Sequence, residues 1–467
     1  AWVSLGNLHD SLNENDLATQ YWNKALQFDP DNPTVLCNIG FRLFELGHQK
    51  DAVEHFVRAL KSNPNSAKAL AGLGTAMLRQ DEIENATKYI ENALQLAPWD
   101  IHAHMAHANL LEARHQPGEA GDEWRHVTTH KPDLPDGYVG LAKYFTSQED
   151  YAAARQQYQL AESRIPDSFK LYSAWSQLEE SVHDLQMAET LAKKAAALNP
   201  GYPGLPIMKA KLARRNKDYT SALEYLEDIK VDTIDDKHLA ASYLFEVGAV
   251  QDKLGNYGAA FSAFQSANET KNLYAGRVYN DERDSRKYEK VRQLYIPETV
   301  RHLASLAEPL DTPAPQPVFI VGFPRSGTSL LEQILGSHNE ISPAGELTAI
   351  YDIATSKIKQ ITGSKLDYPD FINDPDAPLD TAKIKQLQND YIALASHRCV
   401  KKENITWITD KMPHNAVHIG LIRILFPHAP VIHIARHPLN PCLSAYFSNF
   451  KTSHRYTSDL KSTALHY

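Results

Sequence analysis

Cysteine is almost missing from this chain. Among 467 residues only Cys37, Cys399 and Cys442 occur, an odd number with no disulfide or metal-ligand spacing. A disulfide scaffold is thereby excluded, and a reducing, cytoplasmic setting is expected. No apolar run approaches the roughly 18 residues a membrane span needs, so no membrane segment is expected within the sequence. An initiator Met and a signal sequence are also lacking, and Trp2 falls inside a repeat whose earlier residues are not there; the sequence is expected to begin mid-chain. Excess positive charge is absent too. Residues 1–272 carry 26 Lys and Arg against 37 Asp and Glu, a net of −11, whereas residues 273–467 carry 22 against 20, a net of +2. The acidic first part argues against a nucleic-acid partner, and none is expected, while the second part can accept an anionic ligand.

What is present in the first 272 residues is a repeat of period 34. Gly6, Gly40, Gly74, Ala108, Ala142, Ser176 and Ala210 mark one small-residue position, and Ala18, Ala52, Ala86, Ala120, Ala154, Ala188 and Ala222 follow twelve residues later. Pro30, Pro64, Pro98, Pro132, Pro166 and Pro200 close the first six units, and an eighth unit carries Gly248, Ala260, Phe264 and Ala267 after a four-residue slip. Small residues let two antiparallel helices approach closely, bulky residues such as Trp22, Phe56, Tyr89, Trp124 and Tyr158 fill the space beside them, and proline stops the second helix. The expectation is an all-α tetratricopeptide-repeat superhelix of about eight units, with a groove suited to a peptide or protein. His102, His104 and His107 share one helix, but the spacing does not suit a metal, and they read as surface or groove residues. The sequons at Asn85, Asn268 and Asn404 read as accidental.

Residues 273–316 read as a helical and Pro-rich linker. A mixed charge run, Asp281 to Lys287, suits a solvated helix face, and Pro309, Pro313, Pro315 and Pro317 suit an extended connection. From 317 to 467 strand-like and helix-like stretches alternate. Strands are expected at Val318–Val321, Ile405–Thr409 and Pro430–Ala435, and helices at Ser329–His338, His414–Leu425 and from about Pro441. This pattern predicts an α/β domain with a parallel sheet, whose ligands sit at the carboxyl ends of strands.

The first of these strands runs into Gly322-Phe323-Pro324-Arg325-Ser326-Gly327-Thr328-Ser329. Strand, tight loop and helix together point backbone N–H groups and a helix N-terminus at an anion. The two glycines have the spacing of the phosphate-binding loop G-x-x-x-x-G-K-[ST], but Thr328 stands where a triphosphatase needs lysine, and the cation comes earlier, at Arg325. A P-loop nucleotide kinase is therefore the weaker alternative, and no metal is expected.

With those residues in place, the segment from about Pro317 to Phe450 resembles the sulfotransferases, whose 5′-phosphosulfate loop reads P-R-S-G-T-[ST]. The resemblance implies 3′-phosphoadenosine 5′-phosphosulfate as donor, with Arg325, Ser326, Gly327, Thr328 and Ser329 holding its 5′-phosphosulfate. Arg436 ends the strand Val431–Ala435, and Ser444 follows eight residues on, a pair similar to the family's 3′-phosphate site. Glu346 lies 21 residues after Arg325, an offset similar to that of the catalytic Glu of the protein-tyrosine sulfotransferases, and is expected to act as base; His338 is a rival base. Lys411 resembles the family's lysine at the end of a central strand and would join Arg325 in stabilising transition-state charge. Asp410 could contact the acceptor or hold Lys411. His414 and His418 have zinc-pair spacing, but Asn415 replaces the glutamate of H-E-x-x-H and no third ligand follows.

The expected function is sulfuryl transfer to a hydroxyl acceptor, on a peptide or protein (tyrosine) presented by the repeat groove. The alternative from another class is a repeat-based binding scaffold with an inactive sulfotransferase-like domain. Because the family's fold continues past the 3′-phosphate motif, the domain is expected to be C-terminally truncated.

Overall fold

The computed structural model describes residues 1–467 apart from 12–13, 46–47, 80–81, 115, 149, 228, 232–233, 235, 275–278, 310–314, 400–404 and 451. Two compact units emerge, Ala1–Val278 and Tyr279–Tyr467.

In the first unit, sixteen described helices form eight successive pairs, from Trp2–Ser11 with Asn15–Phe28 to Lys237–Lys253 with Tyr257–Tyr274. The small-residue comb works by close approach. A Cβ on Gly6 would stand 2.3 Å from the Trp22 indole, one on Gly40 2.7 Å from the Phe56 ring, and one on Gly248 2.7 Å from Phe264. The seven alanines of the second comb are 0–1% exposed. Where serine replaces the small residue, Ser176 Oγ donates to the Ala188 carbonyl at 2.8 Å, so the two combs touch. One expectation shifts by a residue: the third unit's filler is Ile90, fully buried and 2.4 Å from a Cβ on Gly74, while Tyr89 is only half-buried. Each comb proline lies two residues beyond its helix, as Pro30 does after Asn15–Phe28.

Charged pairs tie successive repeats together. Arg155 forks onto Glu179 at 2.8 and 2.6 Å, Arg214 holds Glu246, and Glu180 receives both Lys211 and Arg215. His104 and His107 both place Nδ1 on the Glu123 carboxylate, at 2.5 and 2.8 Å, and His102 stacks on Phe41. Desolvation lowers the His102 imidazole to about 3, with the Lys68 charge adding. Asn268 is buried and donates to Phe264 O, whereas Asn404 lies outside the described residues.

The second unit is built on a four-stranded parallel sheet of order β2-β3-β1-β4, with β1 Gln316–Gly322, β2 Ile341–Pro343, β3 Trp407–Asp410 and β4 Val431–Ile434. Val318, Phe319, Ile320 and Val321 are all buried, which explains the unbroken apolar run of β1, a central strand covered on both faces. Phe319 and Ile408 share a core with Ile384, Leu387, Tyr391, Leu421 and Phe426. Helices Asp281–Leu294 and Pro297–Ala304, within the segment read as linker, belong to this unit: Leu294, Tyr295, Val300 and Leu303 pack on that core. Part of the Pro309–Pro317 stretch lies outside the described residues. The expected His414–Leu425 helix divides into a 3₁₀ turn, Pro413–His418, and an α-helix, Ile419–Leu425. Strand β2 has no counterpart in the sequence reading.

Candidate active site

The order 2-3-1-4 puts β3 on one side of β1 and β4 on the other. In parallel sheets ligands sit beyond the carboxyl end of a strand flanked in this way, and the loops after all three strands leave from that end. Register brings Gly322 opposite Ile434, so Arg325 and Arg436 follow neighbouring strand ends.

After Gly322 the chain turns tightly. Ser326 N donates to Phe323 O at 3.1 Å, Arg325 takes φ +70° and Gly327 φ +107°, and Gly327 starts the Thr328–Gly336 helix. Left-handed backbone at a non-glycine is uncommon and strained; glycine relieves it at 327, and nothing does at 325. Gly322 is required by space, since its Cβ would lie 2.7 Å from the Ile434 carbonyl oxygen and 3.1 Å from Ser326 Oγ. Ser326 Oγ is buried and has no hydrogen-bond partner among the described residues. A buried hydroxyl left alone is destabilising, and an acceptor placed beside it would relieve that cost. Thr328 is buried, and Arg325 and Ser329 are exposed.

On the β4 side, Arg325 Nε donates to Ser444 Oγ at 3.0 Å. Ser444 lies on the Leu439–Tyr446 helix and is half-buried. The Arg436 side chain is exposed, and its carbonyl accepts from the Tyr467 hydroxyl. Two residues expected at opposite ends of one donor thus touch each other directly.

On the β3 side, Lys411 Nζ and Glu346 Oε1 are 2.6 Å apart, with the lysine 10% and the glutamate 55% exposed. The turn that carries Glu346 is stitched to the strand end: Ala344 N donates to Thr409 O at 3.0 Å, and Lys411 N to Gly345 O at 2.9 Å. Asp410 faces away from this pair, into the core. Its Oδ2 accepts from Tyr391 OH at 3.0 Å and Asn415 Nδ2 at 3.3 Å, while Lys411 Nζ donates to Glu346 instead. Burial pushes the Asp410 carboxyl up to about 7, and its hydrogen bonds oppose the rise only in part.

His414 and His418 do not form a pair. His414 Nε2 lies 2.8 Å from His454 Nε2, while His418 is buried edge-on to Tyr368 and lowered by burial to about 3. Burial also lowers His414, against the pull of Glu346. His338 is exposed and accepts from Glu340 N at 3.2 Å in the turn before β2. Among the described residues, no group of three or more His, Cys, Asp or Glu is placed to hold a metal, and no helix is long and apolar enough to cross a membrane.

Sequence reasoning missed Glu332, Tyr391 and His454. Glu332 is buried within the amphipathic helix after the loop, and a carboxylate amid Leu331, Ile334 and Leu335 was the one signal that could have singled it out.

Residues 317–467 match the profile of the sulfotransferase family, and residues 1–32 and 39–100 match tetratricopeptide repeats. The architecture is therefore a tetratricopeptide-repeat array followed by a sulfotransferase-family domain. An uncharacterized protein of Aquifex aeolicus (strain VF5) is 26% identical over 459 residues, which cover 95% of this chain and 58% of that protein. The chain thus spans little more than half the length of this relative. The human protein O-mannosyl-transferase TMTC1 is 28% identical over 40% of this chain and 25% of its own length. Among solved structures, a tetratricopeptide repeat protein from Parabacteroides merdae ATCC 43184 is similar at 17% identity. It covers 51% of this chain and 93% of its own, with a TM-score of 0.38.

Proposed function

We propose that the second unit is a sulfotransferase that uses 3′-phosphoadenosine 5′-phosphosulfate, with a hydroxyl group on a peptide or protein, tyrosine included, as acceptor. The observation that carries this reading is the convergence of three strand ends. A loop whose buried Ser326 hydroxyl has no partner among the described residues follows β1, a lysine–glutamate pair straddles the end of β3, and an arginine and a serine follow β4.

In this reading the backbone N–H groups of the loop, with Ser326, Gly327, Thr328 and Ser329, bind the 5′-phosphosulfate. Arg436 and Ser444 bind the 3′-phosphate, and Arg suits a dianion because its planar fork gives two parallel hydrogen bonds. Glu346 takes the acceptor's proton as the new oxygen–sulfur bond forms and the bond from sulfur to the 5′-phosphate oxygen breaks. Lys411 and Arg325 neutralise charge on that departing oxygen. Half-exposed Glu346 can meet an acceptor from outside, while Lys411, its partner, is largely buried. The groove of the repeat unit is the proposed place for a peptide acceptor.

The test is calorimetric titration of the protein with adenosine 3′,5′-bisphosphate, followed by transfer of labelled sulfate from the donor to a panel of hydroxyl acceptors. Micromolar or tighter binding, with transfer lost in Glu346→Ala, is expected. Absence of bisphosphate binding overturns the reading.

A further inference from the structure

Glu332 is buried and stands on the Thr328–Gly336 helix, whose first residue belongs to the phosphate loop. Its Oε1 accepts two hydrogen bonds that lead to the two halves of the candidate chemistry. One comes from Gly345 N at 3.2 Å, the residue before Glu346; the other comes from Thr409 Oγ1 at 2.9 Å, two residues before Lys411. A single oxygen thus joins the loop helix, the turn that carries the base and the strand that carries the lysine.

A buried carboxylate is an unfavourable choice for simple core filling, because the site must supply donors to every lone pair it desolvates. Leucine at 332 would fill the helix stripe without that demand. The carboxylate instead fixes a distance. Backbone links tie the Gly345 turn to the end of β3, Ala344 N to Thr409 O and Lys411 N to Gly345 O. The third link, through Glu332, comes from the loop helix and fixes the turn against it.

We propose that Glu332 is a positioning residue that holds Glu346 and Lys411 at contact distance and ties that pair to the helix beginning at the phosphate loop. This rests on the sulfotransferase reading for what the pair does, but the link itself is independent of which group is transferred. Its consequence is a division of effects: loss of the link leaves the phosphate loop able to bind and misplaces the base and the lysine.

Three variants of the full chain test it: Glu332→Leu, Glu332→Gln, and Thr409→Val, which removes one donor while keeping the side chain's shape. The readouts are the acylation rate of Lys411 followed by mass spectrometry, and the affinity for adenosine 3′,5′-bisphosphate. In Glu332→Leu the lysine should react at least fivefold faster as its partner moves off, with bisphosphate affinity kept within about threefold. Glu332→Gln offers the same accepting oxygen and should restore the slow rate; Thr409→Val should lie between. Should Glu332→Leu not fold, the Thr409→Val and Glu332→Gln pair decides. Unchanged Lys411 reactivity in Thr409→Val, or Gln behaving like Leu, overturns the proposal. Failure of the wild-type protein to bind the bisphosphate would instead overturn the sulfotransferase reading and leave the positional result standing.

Discussion

Arg325 and Ser444 are 119 positions apart in sequence, yet Nε of the arginine donates to Oγ of the serine over 3.0 Å. The contact spans the loops after β1 and β4, and it restrains an arginine whose φ of +70° already limits its freedom. Ser444→Ala releases the guanidinium and removes a hydroxyl donor from the proposed 3′-phosphate site. Bisphosphate affinity should fall about tenfold, the effect of roughly 1.4 kcal/mol, close to the lower end of the range for a hydrogen bond to a charged group. Thermal stability should hardly change, as is usual for a half-buried surface residue. Calorimetry and a melting curve on one preparation check both.

Ser326→Ala should separate stability from binding in the opposite sense. Its hydroxyl is buried without a partner among the described residues. Deleting it removes an unsatisfied group and should stabilise the ligand-free second unit by ~1 kcal/mol. Affinity for adenosine 3′,5′-bisphosphate should drop in the same variant. A variant that is less stable and binds normally would contradict this placement.

Glu346→Gln and Lys411→Met remove the members of the 2.6 Å pair singly. Both are expected to lower the rate of sulfuryl transfer by about 100-fold or more, the scale set by loss of one transition-state contact. Bisphosphate affinity should stay within about threefold. Measuring turnover and calorimetric affinity side by side distinguishes this from a binding defect.

Asp410 makes stability depend on pH. Its folded value is pushed up from 3.8 to about 7 by burial. Between those values the folded chain keeps a proton that the unfolded chain gives up, so this group's contribution falls as pH rises through the window. Asp410→Asn keeps the shape and cannot ionise. Relative to wild type, the variant should gain stability with rising pH by up to about 1.4 kcal/mol per unit, and the gain should level off above about pH 7. Urea unfolding of the second unit at pH 5, 6, 7 and 8 gives the difference; a constant offset across the series would remove the assignment.

In the repeat unit, a Cβ on Gly140 would come within 2.2 Å of the Trp124 indole. Gly140→Val should destabilise that unit by about 1–3 kcal/mol through overpacking, visible as a lower first unfolding transition.

The parts legible in the sequence are those whose signal is local. Gly6, Gly40 and Gly74 recur because each helix pair needs the same clearance, and Val318 to Val321 announce a covered strand by their side chains alone. Spacing and resemblance singled out the loop residues, Glu346, Lys411, Arg436 and Ser444 as candidates, and their roles belong to the proposed function. Strand β2 was not, because it has three residues, one of them Pro343, and exists only through its pairing with β3. Glu332, Tyr391 and His454 escaped for a related reason. Each acts through a partner remote in the chain, such as Thr409 for Glu332 and Asp410 for Tyr391, and no periodicity marks such a meeting. Asp410 was left between two roles because sequence cannot tell which way a strand-end side chain turns.

The central place of β1 also governs how the second unit is made. During synthesis this most apolar strand leaves the ribosome before both of its neighbours, and its two edges stay bare until β3 and then β4 have followed. A nascent chain in that interval exposes an unpaired apolar ribbon, an aggregation hazard that the locally paired helices before it do not share.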